Sequence, residues 1–469
     1  MWYGSLSVPR DSPSRRQLIS ALGTIGVSGL AGCASNGNGN NNSNNNGTSV
    51  GDGGGGNNSV SVGLLFPLSG PTKSLGLQSL RSVYSGLAYN AGTDPIADTS
   101  TGRKTFTVDN TDFELFVRDT EYSPDVAQTV AQNLVTNEEV DIFIGTNSPT
   151  AGRVIKNVAK PANVPLVTAS APATGITTQE ATCGEQIFRT IPSNAMIAKA
   201  SSIYIANQTE VSSVYQFGSD TTFGRSLLDE HKRVLENNDV NIVNRRLVPQ
   251  GYDEWSGLLS NADDTDADAI NTGLTVATLP SLVSQLLAGD YSFDHEYGSG
   301  FGVKARVKIL GETLKSVLGE PLTQEKLNQT PLGPYNVIYA WNQYDNPINQ
   351  SYVDMYTKTW DTVPDALGAA GFAASSAVDQ AIKESGSTNG ADIANAMRGM
   401  TIKNHPKGEN SSTFQEYNNQ ATSAITVSPV APNDNEDWGV AYKPGEPLKT
   451  YSGDELSIPK DNPRMGCSL

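Results

Sequence analysis

The chain has 469 residues, with 32 Lys and Arg against 49 Asp and Glu, for a formal charge of −17. The acid is dispersed, as in Glu138-Glu139 and Asp263-Asp264, and no basic run stands out. That excludes nucleic acid and an anionic membrane surface as partners, and leaves solubility as the role of the charge.

Arg15-Arg16 precede an apolar stretch over 17–32 that ends in Leu30-Ala31-Gly32-Cys33. The stretch is short for a spanning helix, which needs about 20 residues, and fits an export signal over 1–33. An uncleaved anchor is the alternative. Leu30-Ala31-Gly32-Cys33 resembles a lipobox, which implies lipid on Cys33 and a protein held at the outer face of the cell membrane. Ser14-Arg15-Arg16-Gln17-Leu18-Ile19 resembles a twin-arginine signal. Together with the acidity, these features resemble lipoproteins of salt-loving archaea. Residues 34–58 are nearly all Asn, Gly and Ser, so they predict a disordered tether.

The body alternates strand and helix patterns. Strands are expected at 61–66, 113–118, 140–144 and 165–168, with helices at 79–90, 124–137 and 150–159 between them. The polar stretch 94–110 reads as a surface insertion. After Phe188-Arg189-Thr190-Ile191-Pro192 the rhythm restarts. Helices are expected at 195–207, 223–237, 253–262 and 278–288, and strands at 213–216, 241–247, 269–272, 306–310 and 336–340. Helices return at 348–360, 366–384 and 390–398. Such alternation predicts α/β architecture built on parallel sheets with right-handed crossovers, here as two similar lobes.

Open parallel sheets bind ligands beyond the carboxyl ends of their strands. Those positions carry Ser69 after the first strand, Asn147 and Ser148 after 140–144, and Ala169-Ser170-Ala171 after 165–168. Small hydroxyl-bearing loops that run into helices suit a carboxylate or another polar group, although Ser and Thr also serve there as plain helix caps. The second set offers Phe223, Leu274-Thr275 and Glu312, the last read as a strand-end carboxylate able to meet an ammonium. Cys183 and Cys467 are left as an even pair outside the cytoplasm, either bonded to staple the C-terminus or both free. Sequons at Asn207, Asn328, Asn349 and Asn410 predict surface sites.

Val62-Gly63-Leu64-Leu65-Phe66-Pro67-Leu68-Ser69-Gly70-Pro71, Asp141-Ile142-Phe143-Ile144-Gly145, Phe188-Arg189-Thr190-Ile191-Pro192-Ser193 and Phe223-Gly224-Arg225-Ser226-Leu227 occur in order. The chain thereby resembles solute-binding proteins of ABC importers, in the family that binds branched-chain amino acids and amides. The resemblance implies a type I periplasmic-binding-protein fold: two doubly wound lobes joined by a three-crossing hinge, with a small solute between them and a membrane permease as partner. It implies lobe 1 at 59–191 and 342–425, lobe 2 at 192–341 and 426–469, a monomer, and no cofactor. Ser148 and Ala169-Ser170-Ala171 match the elements that hold an amino acid. Phe223 stands where Tyr is common, and Leu274-Thr275 and Glu312 match second-lobe contacts. A sensory ectodomain is the alternative within binding, and a secreted hydrolase the alternative outside it.

The sequence gives little support to catalysis. His231, His295 and His405 have no partners at metal or triad spacing and read as surface residues. No G-x-S-x-G elbow, Walker loop or H-E-x-x-H is present. The run from Asp263 to Asp268 lacks the Gly and Glu of a calcium loop.

Overall fold

The computed structural model describes residues 58–275, 277–293, 295–298, 304–433 and 437–469. The export signal, Cys33 and the tether as far as Asn57 lie outside the described residues. Asn58, expected to end the tether, opens the first strand.

Six strands build the first sheet. It comprises β1 (Asn58–Phe66), β2 (Gly102–Val108), β3 (Thr111–Asp119), β4 (Ile142–Asn147), β5 (Leu166–Ser170) and β6 (Ile187–Arg189). Their order is β2-β3-β1-β4-β5-β6, and every pairing is parallel except that of β2 with β3. The stretch 94–110 is therefore not only a loop. Arg103, Thr105 and Thr107 are exposed while Phe106 packs on the core, the period-two pattern of a half-buried strand. Arg103 and Lys104 add charge to this edge strand, a common guard against edge-to-edge pairing.

Helices cover both faces of the sheet. On one side α1 (Lys73–Ala91) shares a core with β1, where Val62 and Leu64 meet Leu80, Val83 and Leu87. On the other, α2 (Pro124–Asn137) and α3 (Ser148–Val154) bury Ala127, Leu134 and Val154 against Leu65 and Phe143. Ser123 caps α2 by accepting the Val126 N–H, and Pro124 fills the first turn, where its missing N–H costs nothing.

A second parallel sheet, ordered β10-β9-β7-β8, uses β7 (Ser213–Ser219), β8 (Asn241–Val248), β9 (Ala269–Gly273) and β10 (His295–Gly298). Around it lie α4 (Asn194–Gln208), α5 (Thr222–Glu236), α6 (Ser256–Asp263), α7 (Leu279–Ala288) and α8 (Lys304–Leu318). The expected strand at 306–310 is corrected: it is part of α8, and the edge strand is β10. A short apolar run does not distinguish strand from helix by length alone. Leu310 and Leu314, four residues apart and both buried, show the helical period.

A small antiparallel sheet of β11 (Tyr335–Val337), β12 (Ile425–Ser428) and β13 (Lys449–Tyr451) packs against α4. Between β11 and β12 the chain returns to the first sheet. There α9 (Pro347–Trp360) and α10 (Gly368–Ser385) pack on α1, and α11 (Gly390–Met397) packs on α10. The chain thus passes between the two large sheets three times: after β6, after β11 and before β12.

Cys183 and Cys467 are bonded, with Cα atoms 6.0 Å apart across 284 residues of sequence. Beside the bond the Gly466 N–H donates to the Thr178 carbonyl at 2.9 Å. Two of the histidines are not surface residues: His231 and His405 are 1% and 2% exposed. Asn349 is also buried and donates to the Trp341 and Tyr344 carbonyls, so that sequon is not a surface site.

Two predictions follow from this packing. Closing so long a loop by a disulfide constrains the unfolded chain, so Cys183→Ser with Cys467→Ser lowers unfolding stability by about 2–5 kcal/mol in urea titration. Burial, and then the charges of Arg245 and Lys407 respectively, lower the pKa of His231 and His405 to about 3. The unfolded chain then binds more protons between the ordinary histidine value and that limit. Stability is complete above pH ~6.5 and falls as pH drops toward ~3, by up to about 1.4 kcal/mol per pH unit for each histidine. Urea midpoints at pH 7 and pH 5 check this, and His231→Gln with His405→Gln flattens the slope.

Candidate functional site

In each large sheet the chain reverses direction of build beside its first strand, between β1 and β4 in one and between β7 and β9 in the other. Strand ends there diverge and leave a crevice. The helices that follow β4 and β7 are α3 and α5, and those two helices contact each other across the lobes.

On the first lobe, the loop after β1 is held by Asp119. Its carboxylate accepts the Leu68 N–H and the Glu121 N–H, each at 2.8 Å, and hydrogen bonds from Ser69. Burial alone raises such a carboxyl, but the hydrogen bonds outweigh it and hold Asp119 below the usual range. Ser69 is exposed and engaged with Asp119, so its role is to set the loop.

After β4 the backbone is strained. Gly145 has φ 137°, and a Cβ there would lie 2.4 Å from the Leu65 carbonyl oxygen, so only glycine fits. Thr146 follows at φ 65°, an outlier for a β-branched residue. Strain of this kind gathers at ligand sites. Thr146 is fully buried and its hydroxyl has no partner, and Asn147, 4% exposed, has no partner for its Oδ1. The Asn147 N–H is satisfied by the Thr150 hydroxyl at 3.1 Å. Ser148 starts α3, and its hydroxyl accepts the Ala173 N–H at 3.2 Å, which leaves its own proton to donate.

Ala169 and Ala171 after β5 are buried and can offer only backbone groups. Ser170 lies 2.5 Å from the Ser79 hydroxyl on α1, so its side chain joins the strand to that helix. Beneath this loop sits Arg189, fully buried and without a carboxylate among its hydrogen-bond partners. It donates to the Ala173 carbonyl at 2.5 Å, the Ala171 carbonyl at 3.4 Å, the Thr177 hydroxyl at 2.6 Å and the Gln420 side chain. Burial lowers its pKa to about 9, which still leaves it charged at neutral pH.

The entry to the second lobe continues the polar lining. Asn194, at the start of α4, donates its N–H to the Pro172 carbonyl at 2.6 Å and its side-chain amide to Ser226 at 3.3 Å. Its Oδ1 is buried without a partner. Ser219 ends β7 and accepts the Thr275 N–H at 3.0 Å, while the Thr275 and Thr278 hydroxyls lie 3.1 Å apart. Gly224 lets α5 approach both strand ends, since a Cβ would lie 2.2 Å from the Ser219 oxygen.

Three expected contacts are placed differently. Leu274 is 1% exposed and packs in the second core with Ile270, Leu279 and Leu282. Phe223 is half-buried against Met196, Leu227 and Ile425. Glu312 is exposed on α8 rather than standing at a strand end, so the geometric reason for matching it to an ammonium is gone. Sequence reasoning missed Thr146, Asn194, Ser219 and Arg189. The last two stood in the strand-end and crossing motifs, whereas nothing local marks an unpaired Oδ1. The acidic turn at 263–268 is internally used: Asp263 accepts from Ser292, and Asp268 from Ser212 and Ser213. Among the described residues no group of three or more His, Cys, Asp or Glu could hold a metal ion.

No curated protein matches the chain. Its fold is shared with solved structures. An amino acid ABC transporter substrate-binding protein from Pseudomonas fluorescens Pf-5 aligns with TM-score 0.70 and 20% identity, over 88% of this chain and 99% of that one. A leucine binding protein from Thermotoga maritima aligns with TM-score 0.67 and 18% identity, over 84% and 99%. A Rhodopseudomonas palustris solute binding protein in complex with benzoate aligns with TM-score 0.66 and 18% identity, over 88% and 100%. The family model described as periplasmic binding protein matches residues 59–435, and with that span and the paired parallel sheets the chain belongs to the periplasmic binding protein family.

Proposed function

We propose that the protein is the lipid-anchored solute-binding component of an ABC importer, which captures a small amino acid or amide-like solute between its lobes and delivers it to a permease. Cys33 carries the lipid, and residues 34–58 give the lobes reach from the membrane. Among the described residues no helix is long and apolar enough to cross a membrane. In this reading lobe 1 is 59–191 with 342–425 and lobe 2 is 192–341 with 426–469. The tail beyond Arg464 departs from this division, since it returns to the first lobe through Cys467.

The observation that carries the reading is a set of buried polar atoms without partners, at the end of β4 beside the first switch point and at the start of α4. Thr146, Asn147 and Asn194 each hide an oxygen that water no longer reaches and no protein group satisfies. An unpaired buried polar group costs about 1–3 kcal/mol, and a ligand bearing N–H or O–H groups removes that cost. Ser148 supplies a hydroxyl donor beside them, and Thr275 the facing hydroxyl of the second lobe. These groups are uncharged, which favours a solute recognised by hydrogen bonds. Its work is binding, with closure coupled to occupancy by population shift.

Thermal unfolding across amino acids, amides, urea and aromatic acids tests this. A cognate solute at about 100 times its Kd adds roughly 2.7 kcal/mol to native stability. Ser148→Ala weakens that solute about tenfold, whereas Glu312→Gln leaves affinity unchanged. Equal affinity in Ser148→Ala and wild type would remove the cleft from the reading.

Arg189→Lys gives a second check. A lysine cannot reproduce the planar fork that serves Ala171, Ala173, Thr177 and Gln420 at once. Unpaired groups then cost about 1–3 kcal/mol each, so urea stability drops by at least that amount. Solute affinity falls with it, because the Ala171–Ala173 turn loses its support.

A further inference from the structure

The C-terminal segment covers a small cavity with a mixed apolar and cationic lining. Lys199 on α4, Arg233 on α5 and Arg464 of the tail line a cavity of about 50 Å³, together with Asn462 and the turn at 457–459. One carboxylate, Glu230, serves two of these cations: it bonds Arg233 at 3.2 Å and Arg464 on its other oxygen. Glu230 is nearly inaccessible, at 7% side-chain exposure, so its charge faces those guanidiniums rather than solvent. Lys199 donates to the Glu455 backbone carbonyl at 2.5 Å. The exposed Glu455 carboxylate lies near enough to act on Lys199 through space.

Three cations against the Glu230 and Glu455 carboxylates leave a surplus of one positive charge, in a chain whose formal charge is −17. Lys199 feels that surplus. Burial and then the charge of Arg233 lower its pKa, against the opposing pull of Glu455. A cavity of this size is several times the roughly 10–15 Å³ that admits one water, and too small for most organic solutes. Three cationic side chains lining one small cavity, with net positive charge, match a compact, multiply charged acceptor.

We propose that this cavity is an oxyanion site that takes inorganic phosphate or sulfate. The bound anion bridges α4, α5 and the tail, three residues before Cys467 fixes that tail to the first lobe. It is distinct from the solute crevice and does not depend on which solute binds there.

The test titrates sodium phosphate and sodium sulfate into the full chain, with ionic strength held constant by sodium chloride. Calorimetry is expected to show saturable binding with Kd on the order of 1 mM, and unfolding temperature to rise with oxyanion concentration. Lys199→Gln and Arg233→Gln each weaken binding about fivefold or more, and Ser148→Ala leaves it unchanged. Absence of saturable binding to either anion, or wild-type affinity in both cation variants, overturns the proposal. Loss of binding in Ser148→Ala alone places the anion in the crevice and overturns it equally.

Discussion

The arrangement of both lobes depends on one buried cation. Arg189 ends the last strand of the first sheet, two residues before the chain departs for the second lobe, and its guanidinium is wholly inaccessible. Removing a charge from water is expensive unless every donor finds an acceptor. Here the acceptors are two carbonyls of the β5 turn, the Thr177 hydroxyl and the Gln420 side chain. Gln420 in turn donates to the Ile191 carbonyl at 3.1 Å, while the Arg189 N–H donates to the Asn419 carbonyl at 3.0 Å and the Arg189 carbonyl accepts the Ala421 N–H at 2.8 Å. The turn at 171–173, the first passage between lobes and the segment leading to the third are therefore held by one network. A change in any of them is felt by the others, because the alternative is an unpaired buried charge.

The same accounting explains how the site differs from the rest of the interior. Most strand-end hydroxyls are used by the protein itself: Ser69 on Asp119, Ser170 on Ser79, Ser219 on Thr275. These fix loop shape. Thr146, Asn147 and Asn194 belong to the smaller set of described residues whose buried oxygens have no partner, and Thr146 also holds an unfavourable backbone angle. Each such group costs stability until something satisfies it.

Much of the fold was legible because periodicity is a strong signal over long segments. The alternation of buried strands with helices such as 124–137 requires parallel sheets, and the restart after Pro192 marks the second lobe. The failures have physical causes. The run at 307–310 satisfies strand and helix templates equally, and tertiary packing decides for α8. The polar stretch 94–110 conceals an edge strand, whose exposed face is rightly hydrophilic. At the candidate site, the strand-end loops that carry Asn147 and Ser148 were readable from topology. The surroundings of each side chain were not. Ser170 turns to α1, Leu274 to the core and Glu312 to solvent, since each depends on contacts far away in sequence. Buried histidines were missed for the same reason: His231 is hidden by α4, where Ser202 meets its Nδ1 at 3.0 Å.

The disulfide acts on this network from its far side. Thr177, a partner of Arg189, and Thr178, which receives the Gly466 N–H, are adjacent in the loop that ends at Cys183. Arg189 thus holds the start of that loop while the tail holds its end. The tail is anchored on α5 through Arg464 and Glu230, so a covalent link from the first lobe continues as an ion pair into the second.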